Sequence, residues 1–347
     1  MNYPHVAVLV PCRDEELTVT EVIDGFARAL PGSRIYVYDN ASSDATAERA
    51  RSRGAIVRVE AIRGKGHVVR RMFAEIDAEV FVIVDGDATY DAARAPELVA
   101  AIVNGPLDMV TAVRDDGGEE RAYRRGHRPA NAIFNWALGV FFGFRPADMF
   151  SGYRALSRRF VKSFPANARG FEIETELTVH ALQLRLPTAE IVTRYRARPA
   201  GSASKLKSYR DGARIAAFMG FLLKEVRPFA FFAFIAALFL VGAAAAGGPV
   251  IVEYERTGLV PRLPTAVLAT GLVLLSSLSF VCGLILDSVS RGRLESKRLA
   301  YLGGSRMAPP SGVLASAPVR SRRQSSIGTV DMLVSSEAQP PGMRRSR

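Results

Sequence analysis

The chain has 347 residues, enough for one large catalytic domain with additions. Its formal charge is +12, but the stretch from Arg291 to the end carries 11 Lys and Arg against 3 Asp and Glu, a net +8. The remaining excess is small and comes without RNA-binding aromatic runs or zinc-type spacing, which excludes nucleic acid as the partner; Cys12 and Cys282 lie far apart, imply no disulfide framework and suit a reducing compartment.

The opening "MNYPHVAVLVP" lacks a charged leader and runs straight into a strand, so no signal peptide is expected. "HVAVLVP" is that strand, and "ELTVTEVIDGFARAL" is an amphipathic helix. "SRIYVYDN" is a second strand, followed by the helix "DATAERARSRG", which Gly54 ends. The strands "AIVRVE", "VFVIVD" and "DMVTAVR" come next, separated by the helices "KGHVVRRMFAEI" and "APELVAAIVNG". This alternation, up to about residue 115, predicts an α/β domain with a mostly parallel sheet covered on both faces. Ligands of such sheets sit beyond the carboxyl ends of the strands. The polar clusters "CRDEE", "DNASSD" and "DGDATYD" fall there.

Residues 116 to about 210 are less regular. "DDGGEERAYRRGHR" reads as a charged loop, and "PANAIFNWALGVFFGF" as an apolar helix, either core or laid along lipid. "RIAAFMGFLLKEVRPF" has an apolar face and basic ends, so 211–228 is expected to lie at a membrane interface. Residues 229–248 and 265–286 carry no charge, and each has about the 20 residues needed to cross a bilayer. Lys224 and Arg227 precede the first run, and Arg291, Arg293, Lys297 and Arg298 follow the second. The positive-inside rule then puts both flanks, and a catalytic domain over 1–210, in the cytoplasm on the inner (plasma) membrane. Residues 300–347, rich in Ser, Pro, Arg and Gly, are expected to be a disordered basic tail.

The chemistry concentrates at strand ends. An apolar run stops at Asp85-Gly86-Asp87, and the two carboxylates fall on one side if extended geometry continues. Such a pair tolerates its own repulsion when a cation lies between its members. An acidic turn is the plainer explanation, and a Mg²⁺ or Mn²⁺ site that bridges diphosphate oxygens the sharper one. Asp39 and Asn40 end the second strand, where they can meet a base or ribose. Lys65, between Gly64 and Gly66, can approach a diphosphate. Arg154 can pair with Asp148 or with a glutamate of "EIETE", and one or more of Glu172, Glu174 and Glu176 can be solvated surface. His67, His127 and His180 show no metal-like clustering.

Seven segments occur in a fixed order: "VPCRDEE", "YDNASSDAT", "RGKG", "DGDATYD", "DMFSGYRALSRRF", "GFEIETEL" and "RPAGSASKLKSYRDG". Together, over roughly residues 5 to 225, they resemble inverting glycosyltransferases of the dolichol-phosphate mannose synthase type. The resemblance implies a GT-A fold and transfer of a sugar from a UDP- or GDP-sugar to a polyprenyl (undecaprenyl or dolichyl) phosphate. It implies donor contacts at Pro11, Arg13, Glu15, Asp39, Asn40, Lys65, Asp85 and Arg198, with metal at Asp85 and Asp87. It puts Arg114, Arg128, Ser202 and Lys205 toward the acceptor phosphate, and Asp148, with Asp87, at the reacting centre. Asp14 stands where the family has asparagine, and Thr89 where it often has glutamine. A processive polysaccharide synthase would need more spans and a Gln-x-x-Arg-Trp motif, but the only tryptophan is Trp136 in "IFNWAL". A non-enzymatic membrane protein with a degenerate nucleotide site is the other alternative. Assembly with further copies of the chain stays open.

Overall fold

The computed structural model describes residues 5–115, 146–170, 172–199 and 224–304, together with Gly139. The charged loop and apolar helix read between 116 and 145, most of the interfacial helix, Arg128, Ser202, Lys205 and the tail from residue 305 lie outside the described residues.

The strands are β1 (Val6–Cys12), β2 (Arg34–Asp39), β3 (Ile56–Val59), β4 (Val80–Ile83), β5 (Met109–Asp115), β6 (Arg154–Ser157) and β7 (Thr188–Arg194). They form one sheet in the order β3-β2-β1-β4-β6-β5-β7. Every pairing is parallel except those of β6, which runs antiparallel to both β4 and β5. The first five strands and their helices fall where the apolar periodicity puts them: α1 (Val19–Ala29), α2 (Thr46–Ser52), α3 (Lys65–Glu75) and α4 (Ala95–Val103). Side chains alternate between two cores, as a sheet covered on both faces requires. Val6, Val8 and Val10 of β1 join α1 and α4 on one side. Ala7 and Leu9 join α3, α5 (Arg158–Ser163) and α6 (Ile173–Leu184) on the other.

His180 of α6 is buried between the rings of Phe160 and Phe164. Burial, with a smaller push from the Lys297 charge, holds its imidazole down at about 3 against an ordinary 6.5. Between those values the unfolded chain binds a proton that the folded chain refuses. This residue's contribution is therefore lost as pH falls from about 6.5 toward 3, by about 1.4 kcal/mol per pH unit. His180→Leu is expected to flatten that part of the stability profile, measured by denaturant unfolding at pH 7 and pH 5. An unchanged slope would mean that the ring is protonated in place.

Two long helices follow, α7 (Pro228–Thr257) and α8 (Leu263–Gly303). They fold back on each other as an antiparallel hairpin. Gly283 lies against Phe229 and Phe232, the Ser276 hydroxyl donates to the Ala236 carbonyl at 2.8 Å, and Gly247 meets Ala269. Small residues at these points let the backbones approach closely. The turn is made by Gly258 at φ 71°, a left-handed conformation that glycine adopts without strain. Both helices outlast the apolar runs at 229–248 and 265–286. The second also carries past residue 300, the expected start of the tail, because its last turns rest on the catalytic domain.

Candidate active site

Extended geometry does not continue through the acidic motif. β4 ends at Ile83, and Asp85, Gly86 and Asp87 enter a turn. Gly86 packs so closely on Cys12 that a Cβ there would collide with its sulfur. The turn therefore rests directly on the end of β1, and the Thr18 hydroxyl pins it by donating to the Gly86 carbonyl at 2.7 Å.

The two carboxylates face different cations. Asp85 is ion-paired with Lys65, and Asp87 with Arg198 at 2.6 Å. Burial and the Asp85 charge push the Asp87 carboxyl above the ordinary range; Arg198 and a 2.6 Å hydrogen bond from the Thr89 hydroxyl pull the other way. Gly152 leaves the notch that holds the Asp85 carboxylate, since any Cβ there would strike it. Burial works against the Lys65 ammonium, but Asp85 and Glu174 together hold its proton more tightly than in an ordinary lysine. Asp85, Asp87 and the Thr89 hydroxyl are hard oxygen donors of the kind that suit Mg²⁺ or Mn²⁺. Among the described residues no group of three or more His, Cys, Asp or Glu side chains could cage a metal. A cation here would thus complete its shell with diphosphate and water.

The three glutamates of "EIETE" are all buried, so none of them is the solvated surface that their alternation allows. Glu174 holds Lys65. Glu176 accepts from the backbone N–H groups of Asn167 and Ala168 at 2.9 and 2.7 Å, and Glu172 from that of Gly170 at 3.0 Å. The 168–169 backbone in turn packs on Gly64 and Gly66, where a Cβ would collide with the Arg169 and Ala168 carbonyls. The glycines of "RGKG" are therefore needed for this close approach, which aims Lys65 at the turn.

Around the donor side, the buried Asp39 at the end of β2 keeps one carboxylate oxygen without a hydrogen-bond partner among the described residues. Pro11 lies beside Tyr38 in the β1–β2 pairing. The Arg13 side chain lies 3.6 Å from Asp14, and Glu15 is buried with its backbone N–H on Thr46. One residue differs from expectation. Asn40 does not present its amide to a ligand: the NH₂ donates to the carbonyls of Glu60 and Ile62, and the oxygen accepts from the Gly64 N–H. It shapes the loop that leads to Lys65. Asp14, at φ 49°, turns its carboxylate to the Ser43 N–H at 2.7 Å.

Arg114 and Asp148 come together as a bidentate pair, with Nε and Nη2 on the two carboxylate oxygens at 2.6 and 2.7 Å. Asp148 is buried. Arg154, expected to pair with Asp148 or a glutamate, pairs with neither. It is fully buried and donates to the carbonyls of Ser151 and Met149 and to the Thr178 hydroxyl. It thereby fixes the 148–151 loop that carries Asp148. Tyr195 was missed altogether. Its ring lies 5.4 Å from the Arg114 guanidinium and 5.3 Å from the Tyr90 ring. Its backbone, with that of Arg196, is tied to Asp115 and Thr89. The one signal in sequence was an aromatic residue three positions before Arg198, which periodicity alone assigns to a strand.

Comparison with known proteins agrees with this geometry. The model of the family described as "Glycosyl transferase family 2" matches residues 7–163. Glycosyltransferase AglJ of Haloferax volcanii is 34% identical over 216 residues, 60% of this chain and 69% of that protein. Dolichol-phosphate mannosyltransferase of Pyrococcus furiosus is 28% identical over 211 residues, 58% and 59% of the two chains. Glucosyl-3-phosphoglycerate synthase of Mycobacterium tuberculosis, solved with Mn²⁺, uridine diphosphate and glucosyl-3-phosphoglycerate, superposes with a TM-score of 0.51 at 25% identity, covering 62% of this chain and 78% of that one. With its sheet order, its Asp85-Gly86-Asp87 turn and these relatives, the chain belongs to glycosyl transferase family 2 and is a GT-A-fold glycosyltransferase.

Proposed function

We propose that this enzyme transfers a hexose from a nucleoside-diphosphate sugar to a polyprenyl phosphate at the cytoplasmic surface of a membrane, with inversion at the anomeric carbon. The observation that carries this reading is the conjunction of the acidic turn with a hairpin of two helices, each long and apolar enough to cross a bilayer. Within their most apolar stretches only 11% and 6% of residues are buried, so the apolar faces look outward. The dolichol-phosphate mannosyltransferase relative supports a lipid acceptor, and the Mn²⁺- and uridine-diphosphate-bound neighbour supports a metal-assisted nucleotide sugar.

In this reading Asp39 receives the nucleoside, and Arg13, Lys65 and Arg198 meet its diphosphate. A cation on Asp85 and Asp87 would offset the charge that builds on the departing nucleotide. The acceptor phosphate is already an anion at neutral pH. The protein therefore supplies position and charge stabilisation more than proton abstraction. Asp148, held by Arg114, orients the reacting groups on the face opposite the nucleotide. Arg128, Ser202 and Lys205 remain proposals for the acceptor phosphate.

Radiolabelled transfer to undecaprenyl phosphate, screened over UDP- and GDP-sugars, tests the reading. Label that reaches only a water-soluble acceptor would overturn it. The topology has its own check: a reporter at Gly258 is expected to read outside, and one fused after Gly304 inside. Both on one side would remove the two-span arrangement.

A further inference from the structure

α8 has 41 residues, so it is about 60 Å long. Its apolar run, 265–286, takes up about 33 Å, enough to cross a bilayer core, and residues 287–303 reach about 25 Å beyond it. Because the hairpin is antiparallel, this excess emerges at the end where α7 joins the catalytic domain. One helix face stays covered throughout. Asp287, Ser290, Leu294, Lys297 and Tyr301 recur at steps of three and four, and each is partly buried between exposed neighbours. That period marks a packed stripe. The stripe that seats α8 on α7 therefore runs on to seat it on the domain.

The contacts along the stripe are specific. Arg293, beside it, pairs with Glu225 at 2.6 Å, and Lys297 donates to the Gln183 side chain at 2.9 Å. Burial pulls the Lys297 ammonium below its ordinary value. Tyr301 packs against the core cluster that includes Phe160 and Leu186. Its hydroxyl donates to Asp108 at 2.7 Å, and the Arg159 guanidinium lies 4.6 Å from its ring centre. Asp108 is wholly buried and also accepts from Arg159 at 2.6 and 2.7 Å and from the Ser157 hydroxyl at 2.7 Å.

Asp108 is also where three strands meet. Its N–H donates to the Pro187 carbonyl just before β7, and its carbonyl accepts from Ser157 at the end of β6, while β5 starts at the next residue. The opposite ends of those strands carry the site: Arg114 on β5, the Asp148 loop leading to β6, and Tyr195 with Arg198 after β7. At 3.3 Å per residue the two ends of β5 lie about 20 Å apart.

We propose that the segment 287–303 is a strut that ties the membrane hairpin to the catalytic domain, with Tyr301 as the positioning residue that sets the site's height and tilt over the lipid surface. The proposal rests on the reading above, that the hairpin spans a membrane and the acceptor is a lipid phosphate. A donor-binding site on a freely swinging domain meets a membrane-borne phosphate only part of the time, and a docked one is held in register with it.

The test uses the full chain in lipid nanodiscs, native and as Tyr301→Phe and Tyr301→Ala. Amide hydrogen exchange over residues 290–303 is expected to speed up on the order of tenfold in Tyr301→Phe, the size of one lost hydrogen bond to a charged acceptor, and more in Tyr301→Ala. Transfer to undecaprenyl phosphate in the nanodisc should fall several-fold, while transfer to a short, water-soluble isoprenyl phosphate stays at the native rate. Unchanged exchange in both variants would overturn the strut. Faster exchange with both acceptors unaffected, or both reduced equally, would overturn its positioning role. Failure of the native protein to use either acceptor would instead overturn the reading of the reaction, with hydrogen exchange still deciding whether the segment is docked.

Discussion

Asp87→Asn is expected to lower sugar transfer by a factor on the order of a hundred or more, and Asp85→Asn by a similar factor, because the leaving diphosphate depends on charge held at this turn. Asparagine keeps the shape and one oxygen but removes the negative charge that a divalent cation needs. Asp87 is the more exposing test. It is buried, burial and Asp85 already disfavour its charge, and Arg198 is its ion-pair partner. Its replacement would therefore remove a proposed metal ligand and also release the segment that carries Arg198. Arg198→Ala made on top of Asp87→Asn should accordingly cost less than Arg198→Ala alone, since contacting residues do not add. A binding measurement separates metal loss from misfolding. Uridine or guanosine diphosphate with Mn²⁺ should raise the melting temperature of the native protein by mass action, and raise that of Asp87→Asn little. Near-native turnover of either variant in excess chelator would remove the metal from the reaction.

The first half of the fold was legible because its signals are local. Alternating valines in β1 and β4 and the apolar stripe of α1 state their own periods, and the polar clusters mark strand ends. The acidic turn could be found for the same reason. What was not legible depends on residues far apart in sequence. The partner of Glu174 is Lys65, 109 positions away, and alternation on a short helix gives no hint that all three glutamates are buried. Asn40 read as a ligand contact because it follows Asp39, yet its amide is taken up by a loop twenty residues on. The sequence leaves Arg154 open to pairing with Asp148 or a glutamate of "EIETE", but three oxygen acceptors converge on it instead. The end of α8 read as the basic flank of a span, through Arg291, Arg293, Lys297 and Arg298, with a tail expected from residue 300. Its three-four stripe becomes visible only once burial is known.

Asp148→Asn and Arg114→Lys are each expected to reduce turnover on the order of a hundredfold, with donor affinity nearly unchanged, and the double variant should be little worse than either alone. The reason is the geometry of the pair. Both carboxylate oxygens of Asp148 are engaged by one guanidinium, with Nε and Nη2 at 2.6 and 2.7 Å, and one oxygen also accepts from the Phe150 N–H at 3.2 Å. Lysine keeps the charge of Arg114 but cannot make the two parallel bonds, so the carboxylate loses its fixed plane. Asparagine keeps the plane but lacks the charge that the half-buried Arg114 guanidinium faces, which also costs stability. Rates must therefore be taken per folded molecule, with circular dichroism and melting measured beside them. Tyr195→Leu offers an independent handle, because it removes the ring beside Arg114 and leaves both members of the pair intact. It should move turnover in the same direction by a smaller factor. Arg198→Ala, by contrast, should weaken donor affinity, because Arg198 lies on Asp87 and not on Asp148. Calorimetric donor binding set against acceptor-dependent kinetics decides the matter. Additive losses in the double variant would show that Arg114 and Asp148 act separately, and a loss of donor affinity equal to that of Arg198→Ala would put the pair on the nucleotide side of the reaction.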